Sequence, residues 1–288
     1  MAIDYDKLKN WPFPDHEHRY DDVATMLYAL GVGLGQDPLD KRQLPFVYEE
    51  NLRALPTMAV VLGYPGFWLM NPDTGVDWKQ VLHGEQGLVI HHPLPATGHV
   101  IGRSRVDEII DKGPGKGALI YSSRDIIDKH NGRLYCTVTS TTFCRADGGF
   151  GGPTGPSRPV HAIPERGPDV TCTLTTRPEQ ALIYRLSGDR NPLHAAPNVA
   201  SVAGFRQPIL HGLATFGIAG HAILRELCDY DPVRLTQMHV RFSSPVFPGE
   251  TIRTEIWRES QGHAALRCWA VERNIMVINN GRIEYRVA

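Results

Sequence analysis

Residues 148–169 hold eleven glycines and prolines, a density at which neither a helix nor a strand ladder persists. The stretch divides the chain of 288 residues into segments 1–147 and 170–288, a length that suits two medium domains better than one large one. Residues 148–169 are therefore predicted to be a linker. They are not a phosphate-cradling loop, which needs a strand before it and a helix directly after, whereas here proline and glycine simply continue. Gly31-Val32-Gly33-Leu34-Gly35 meets the same objection, because Asp21 to Leu30 before it has helical character.

The two segments show a faint internal repeat. Tyr28, Leu30 and Pro56-Thr57-Met58-Ala59 lie 156 positions before Tyr184, Leu186 and Gly212-Leu213-Ala214-Thr215. In the second segment Gly212 to Leu227 sets Leu213, Phe216, Gly217, Gly220, Ile223 and Leu224 on one face among small residues, which predicts a buried helix that lets backbones come close. Strands are predicted over Met238–Phe242, Thr251–Glu259, Ala264–Arg273 and Ile275–Arg286, with Phe247-Pro248-Gly249-Glu250 and Asn279-Asn280-Gly281 as turn signals. The first segment offers Gln86–His91, Gly98–Asp107, Gly117–Asp125 and Leu134–Phe143 in the same order. One helix wrapped by an antiparallel sheet, twice over, predicts an α+β fold rather than alternating βαβ units.

Composition removes whole classes of function. Apolar residues make up 42% and charged residues 21%, and 30 basic side chains against 31 acidic ones leave a net charge of −1. This is a packed globular composition with no basic block, so neither nucleic acid nor an anionic membrane surface is an expected partner. No stretch reaches 18 consecutive apolar residues, the start Met-Ala-Ile-Asp-Tyr-Asp lacks signal-peptide character, and the final Arg-Val-Ala is no peroxisomal address; a cytoplasmic protein is expected. Cys136, Cys144, Cys172, Cys228 and Cys268 are odd in number and lack zinc-site spacing, so they read as reduced and mostly buried.

The chemistry concentrates in Tyr184-Arg185-Leu186-Ser187-Gly188-Asp189-Arg190-Asn191-Pro192-Leu193-His194, followed by Ile209-Leu210-His211-Gly212-Leu213. On spacing alone, Gly188 to Pro192 is equally a tight turn with His194 as an incidental neighbour. The functional reading is that the turn presents the Asp189 carboxylate and the His194 imidazole to one small volume, where they hold and deprotonate a water. Asn191 would orient His194 or the water, and the free N–H of Gly212 at the helix start would bind an oxygen gaining negative charge.

The pattern Tyr-x-Leu-Ser-Gly-Asp-x-Asn-Pro-Leu-His with Pro-Ile-Leu-His-Gly-Leu resembles the signature of hydratase 2, the (R)-specific enoyl-CoA hydratases of the MaoC-like group. Tyr28 to Gly33, Phe46-Val47-Tyr48-Glu49, Leu55-Pro56-Thr57, Leu82 to Gln86 and Gly148 to Gly152 extend it across nearly the whole chain, and are similar to the two-part hydratase unit of peroxisomal multifunctional enzymes. The resemblance implies a double hot-dog fold, an acyl-CoA substrate and no cofactor. It also implies hydration of trans-2-enoyl-CoA to the (R)-3-hydroxyacyl-CoA, a reversible reaction. The resemblance assigns the catalytic roles to Asp189 and His194, with Asn191, Gly212 and Glu49 beside them, Glu49 having a solvated loop carboxylate as its alternative. A hot-dog thioesterase and a non-catalytic acyl-CoA binding protein are the alternatives, and the retained polar set favours hydration over both.

Where family members usually carry an acidic residue two positions after the histidine, this chain has Ala196, a loss expected to cost the cap of the following short helix. The 156-position offset pairs Gly33 with Asp189, Gly35 with Asn191 and Pro38 with His194, so the first segment has glycine or proline wherever the second has one of these groups, and the space is expected to hold the acyl tail. His211 and Arg241 complete the substrate-binding candidates, Arg241 for CoA phosphates, with a solvated strand arginine as its alternative. His83 and Glu85 are candidates for the inter-domain cleft, with stabilisation of the fold around a loop as the favoured alternative. No metal is expected, since His91 and His92 adjoin a strand and face opposite ways. A homodimer through sheet edges is the expected assembly.

Overall fold

The computed structural model describes residues 3–287. Ten strands form: β1 (His16–Tyr20), β2 (Val81–Ile90), β3 (Gly98–Asp111), β4 (Ala118–Asp128), β5 (Leu134–Cys144), β6 (Val170–Thr175), β7 (Leu235–Phe242), β8 (Thr251–Ser260), β9 (His263–Ala270) and β10 (Ile275–Tyr285). They pair antiparallel into one sheet of order β1-β3-β4-β5-β2-β7-β10-β9-β8-β6. Read inward from either edge, the two halves follow the same order, with β6 taking the place of β1 and β7 that of β2. The halves meet where β2 pairs with β7, Gln86 opposite Val240 and Leu88 opposite Met238. This is the topological counterpart of the sequence offset, and the architecture is α+β.

All eight expected strands are present. The edge strands β1 and β6 were not expected, because His-Glu-His-Arg-Tyr carries no apolar alternation and Val170 to Thr175 follows directly on the linker. Polar side chains at a sheet edge deter pairing with other chains, which is why such strands read weakly. Asn279-Asn280-Gly281 is not a turn but a bulge inside β10, where the pairing jumps from Ile278–Cys268 to Gly281–Leu266 and Asn280 takes φ 53°.

The helix Gly212–Leu227 runs as the periodicity requires, and its core positions from Ala214 to Leu224 are buried. Its glycines mark where the first half presses on it. A Cβ on Gly217 would lie 2.4 Å from Val32 Cγ1, and one on Gly220 would lie 2.5 Å from Thr57 Cγ2. One main core therefore runs through both halves, joining Tyr28, Phe46, Met58 and Leu88 to Phe216, Ile223 and Met238.

The repeat predicts a second central helix in the first half, and here the structure differs. Pro56–Val60 forms only a single 3-10 turn, and the chain then breaks at Gly63 and Gly66, both at positive φ, with Pro65 between them. Proline and glycine at that spacing cannot continue a helix. Part of the inner face of the first half is left without helical cover, a difference with consequences for the site.

The glycine- and proline-rich connection is a strap rather than a free tether. The Asp111 carboxylate accepts backbone N–H bonds from Gly113, Gly149 and Gly151 at 2.8, 2.7 and 2.9 Å. Further along, Arg158 bonds Glu108 and stacks on Tyr121, and His161 pairs with Glu259 at 2.8 Å. All five cysteines are buried and unpaired. Among the described residues no helix is long and apolar enough to cross a membrane.

Candidate active site

The helix Gln180–Tyr184 tightens into a 3-10 turn, Arg185–Ser187, and ends at Gly188, whose φ of 124° only glycine adopts readily. The reversal delivers Asp189, whose Oδ1 accepts the Asn191 N–H at 3.1 Å. Asn191 Oδ1 then accepts the Leu193 N–H at 3.0 Å, capping the 3-10 turn Pro192–His194. Turn chemistry and site chemistry are thus one arrangement. Asn191 is exposed and its side-chain oxygen is spent on the cap, so it orients His194 through the backbone turn rather than by touching the ring.

Asp189, His194 and His211 each bring a polar side-chain atom within 4.8 Å of the others. The His194 imidazole is buried, and its Nδ1 lies 2.9 Å from the Ile209 carbonyl. A carbonyl only accepts, so Nδ1 carries the proton and Nε2 is left as a lone-pair acceptor facing the site. Burial holds the His194 pKa below the usual histidine value, against the opposing pull of the Ile209 bond and the Asp189 charge. The His211 ring stacks on it, with centroids 3.7 Å apart and planes 28° from parallel. His211 Nε2 donates to the Asp189 backbone carbonyl at 3.1 Å, pinning the turn. Burial first, and the His194 charge second, push the His211 pKa down to about 4.

His211 also sits at the N-cap of the central helix without a side-chain cap bond. The N–H groups of Ala214 and Thr215 return to the His211 carbonyl, which leaves those of Gly212 and Leu213 pointing outward at the positive end of the helix dipole. A Cβ on Gly212 would meet nothing closer than the Phe242 ring at 3.6 Å. Phe242 packs edge-on against His83 at 4.9 Å, and the Asp189 charge acts on His83, Tyr64 and Tyr184 as well as on the two histidines. His83 is thus at the cleft, and Tyr64 is a neighbour that no sequence motif marked.

The remaining candidates lie apart from this cluster. Glu49 is exposed on the turn after the helix Leu44–Val47. Gly33 and Gly35 have φ of 88° and 75°, and the Gly35 N–H is held by Gln43 Oε1 at 2.8 Å. Their conformation therefore accounts for glycine there without any role in making space. Arg241 is the strand neighbour of Phe242, so it points to the opposite face of the sheet from Gly212, into a groove of about 360 Å³ shared with Glu85, His239 and His161. The alternative of a solvated strand arginine describes it better than a contact to CoA at this site. Ala196 is the N-cap of the short helix Pro197–Val202 and supplies no cap bond, as its side chain dictates.

Asp189, His194 and His211 have the composition of a metal site but not its geometry. A metal lies in the plane of each ligating ring, about 2.0–2.1 Å from nitrogen. Two stacked rings with centroids 3.7 Å apart and planes only 28° from parallel do not share an in-plane point at such a distance.

The sequence matches the family described as "MaoC like domain" over residues 159–279 and that described as "MFE-2 hydratase 2 N-terminal domain" over residues 18–146. It is 40% identical over 275 residues to 3-hydroxyacyl-thioester dehydratase Y of Mycobacterium tuberculosis, covering 92% of this chain and 93% of that protein. The chain belongs to the MaoC-like hydratase 2 family. This hydratase 2 chain is also 38% identical to the peroxisomal enoyl-CoA hydratase 2 of Arabidopsis thaliana, covering 88% of this chain and 87% of that one. Among solved structures, a MaoC-like dehydratase from Phytophthora capsici superposes with a TM-score of 0.88 at 35% identity, over 99% of this chain and 100% of that chain. A Mycobacterium tuberculosis protein described as having a double hot-dog fold superposes at 0.56 with 13% identity, over 96% of this chain and 94% of that chain, and shows the architecture alone. The hydratase 2 chain has the double hot-dog fold.

Proposed function

We propose that the protein hydrates trans-2-enoyl-CoA thioesters to (R)-3-hydroxyacyl-CoA and, in reverse, dehydrates them. The observation that carries this reading is the placement of Asp189 and an acceptor-ready His194 Nε2 beside the free N–H of Gly212. With the thioester oxygen on that N–H, Asp189 and His194 hold one water between them. Its oxygen bonds to C3, one of its protons goes to C2, and the charge that develops on the thioester oxygen in between is met by the helix N-terminus. The chemistry requires no cofactor.

The division at 148–169 assigns catalysis to residues 170–288 and the acyl tail to residues 1–147. What supports it is the missing long helix of the first half, where Pro56–Val60 forms only a 3-10 turn, rather than the glycines at 33 and 35. Glu49 remains part of the proposed set through the family resemblance. The acyl-CoA substrate rests on the relatives named above, whereas a homodimer and a cytoplasmic location are proposals from the sequence reading alone.

A panel of trans-2-enoyl-CoAs tests the function. Absorbance of the enoyl thioester should fall with formation of the (R)-alcohol and no release of free thiol. Thiol release at the same rate would make the protein a thioesterase, and binding without turnover would make it a carrier.

A further inference from the structure

Burying a charge costs several kcal/mol unless an opposite charge or a full set of hydrogen bonds meets it. Elsewhere in this fold that condition is satisfied: Glu250 pairs with Arg273, Glu255 pairs with Arg267, and Asp111 is ringed by glycine N–H groups. Arg124 is different. It is 8% exposed and has no carboxylate partner among the described residues. Nη2 donates to the Val60 carbonyl at 2.7 Å, while Nε is buried without a hydrogen-bond partner. The guanidinium lies 5.3 Å from the centre of the Tyr64 ring.

The sheet register places this cation relative to the site. Arg124 stands opposite Val138, which stands opposite Leu88, which stands opposite Met238. Met238 packs under Gly220 of the central helix, so this row lies on the inner face of the sheet. One step closer to the site on the same face, the half-buried Ser122 and Ser140 share a hydroxyl bond of 2.9 Å. One step further is the row of Ile120, Thr142 and His83, and His83 touches the Phe242 ring that borders Gly212. Arg124 is four residues along β4 from Ile120, roughly 13 Å at the rise of a strand. Tyr64 lies against the Arg124 guanidinium, and its hydroxyl pKa is raised chiefly by burial and next by the Asp189 charge. The face between Gly212 and Arg124 thus carries Thr142, Ser140 and Ser122 beside the buried Ile120, on the half of the sheet that lacks a long helix.

We infer that Arg124 is an anion-recognition residue at the far end of the acyl path, and that the site takes enoyl thioesters whose tail ends in a carboxylate. The inference rests on the hydratase reading above. A terminal carboxylate would accept from the Arg124 fork and supply the missing counter-charge, with the Ser122 and Ser140 hydroxyls beside the path. A purely alkyl tail would leave the guanidinium unpaired and bury no apolar partner against it.

The test compares, on the intact protein, two trans-2-enoyl-CoAs of equal length, one ending in a carboxylate and the other in its methyl ester. A hydrogen-bonded charge pair of this kind predicts that the acid is favoured by roughly 10- to 100-fold in kcat/KM. In R124M the ratio should fall to about one, and R124K, a point charge without the fork, should restore part of it. A merely structural arginine would slow both substrates in proportion and leave the ratio unchanged, which would overturn the inference. If R124M does not fold, the wild-type ratio decides, and equal hydration of acid and ester overturns the inference while leaving the hydratase reading intact. Hydration of neither acid, ester nor a plain alkyl enoyl-CoA would remove the hydratase reading and the inference with it.

Discussion

A single hydrogen bond decides what His194 can do. Because the Ile209 carbonyl can only accept, the proton is fixed on Nδ1, and Nε2 is left as the acceptor of the ring, the state the proposed removal of a proton from water requires. Burial keeps the ring neutral below the usual histidine pKa, so the acid limb of the kcat/KM profile is expected below pH 6.5. Asp189→Asn and His194→Gln should each lower kcat by on the order of 10²–10⁴ or more while the fold is retained, because positioned proton transfer supplies about that factor. Near-normal turnover in a folded variant would refute the pairing. The sequence made Asp189, His194 and Gly212 legible, since a turn motif and a helix start are both local patterns. His211 was legible as a neighbour of Gly212 but not as the ring that stacks on His194 and pins the Asp189 turn, because both contacts cross about 20 residues of chain. Arg124 gave no signal: Ser122-Ser123-Arg124-Asp125 reads as an ordinary polar strand, and only the register shows which side chains face inward.

At the scale of the element, Gly212 separates stability from function. Its φ is not in the left-handed region, and a Cβ there meets nothing closer than 3.6 Å. Gly212→Ala should therefore leave stability unchanged or raise it by up to about 1 kcal/mol, through the lower entropy of the unfolded chain. The same methyl would stand where a thioester oxygen must approach the N–H, so kcat/KM should drop despite the firmer helix. Denaturant midpoints and hydration rates measured on one preparation check this, and a variant that lost both together would show that Gly212 serves the fold instead. The central helix was legible over its full length because sixteen residues carry the 3.6 period. Its expected counterpart in the first half was misread because the offset aligned Pro56 with Gly212 and took no account of Gly63, Pro65 and Gly66, which stop the chain after one turn.

The whole molecule carries two tests. His211 and His221 are buried and both have pKa values pushed down to about 4, chiefly by burial, against an unfolded value near 6.5. Between those values the unfolded chain binds more protons than the folded one. Stability should thus fall as pH drops from about 6.5 towards 4, by up to roughly 1.4 kcal/mol per pH unit for each histidine. Urea midpoints across that range should slope accordingly, and a flat profile would show that both rings gain a proton without cost. The second test concerns stoichiometry. The sheet repeats its strand order in both halves, yet among the described residues the Asp189, His194 and His211 cluster and the long helix with an open N-terminus occur once, in the second half. The first half offers, at the equivalent place, a 3-10 turn with Pro56 at its start and left-handed glycines at 33 and 35. A duplicated scaffold with one site and one vacated helix position should bind a single thioester per chain. Titration with a non-reactive enoyl-CoA analogue is expected to saturate at one equivalent, with Asp189→Asn leaving that number unchanged. Two equivalents would mean that the first half holds a thioester of its own, and its lack of a helix could then not be explained by the tail of a substrate seated at Gly212.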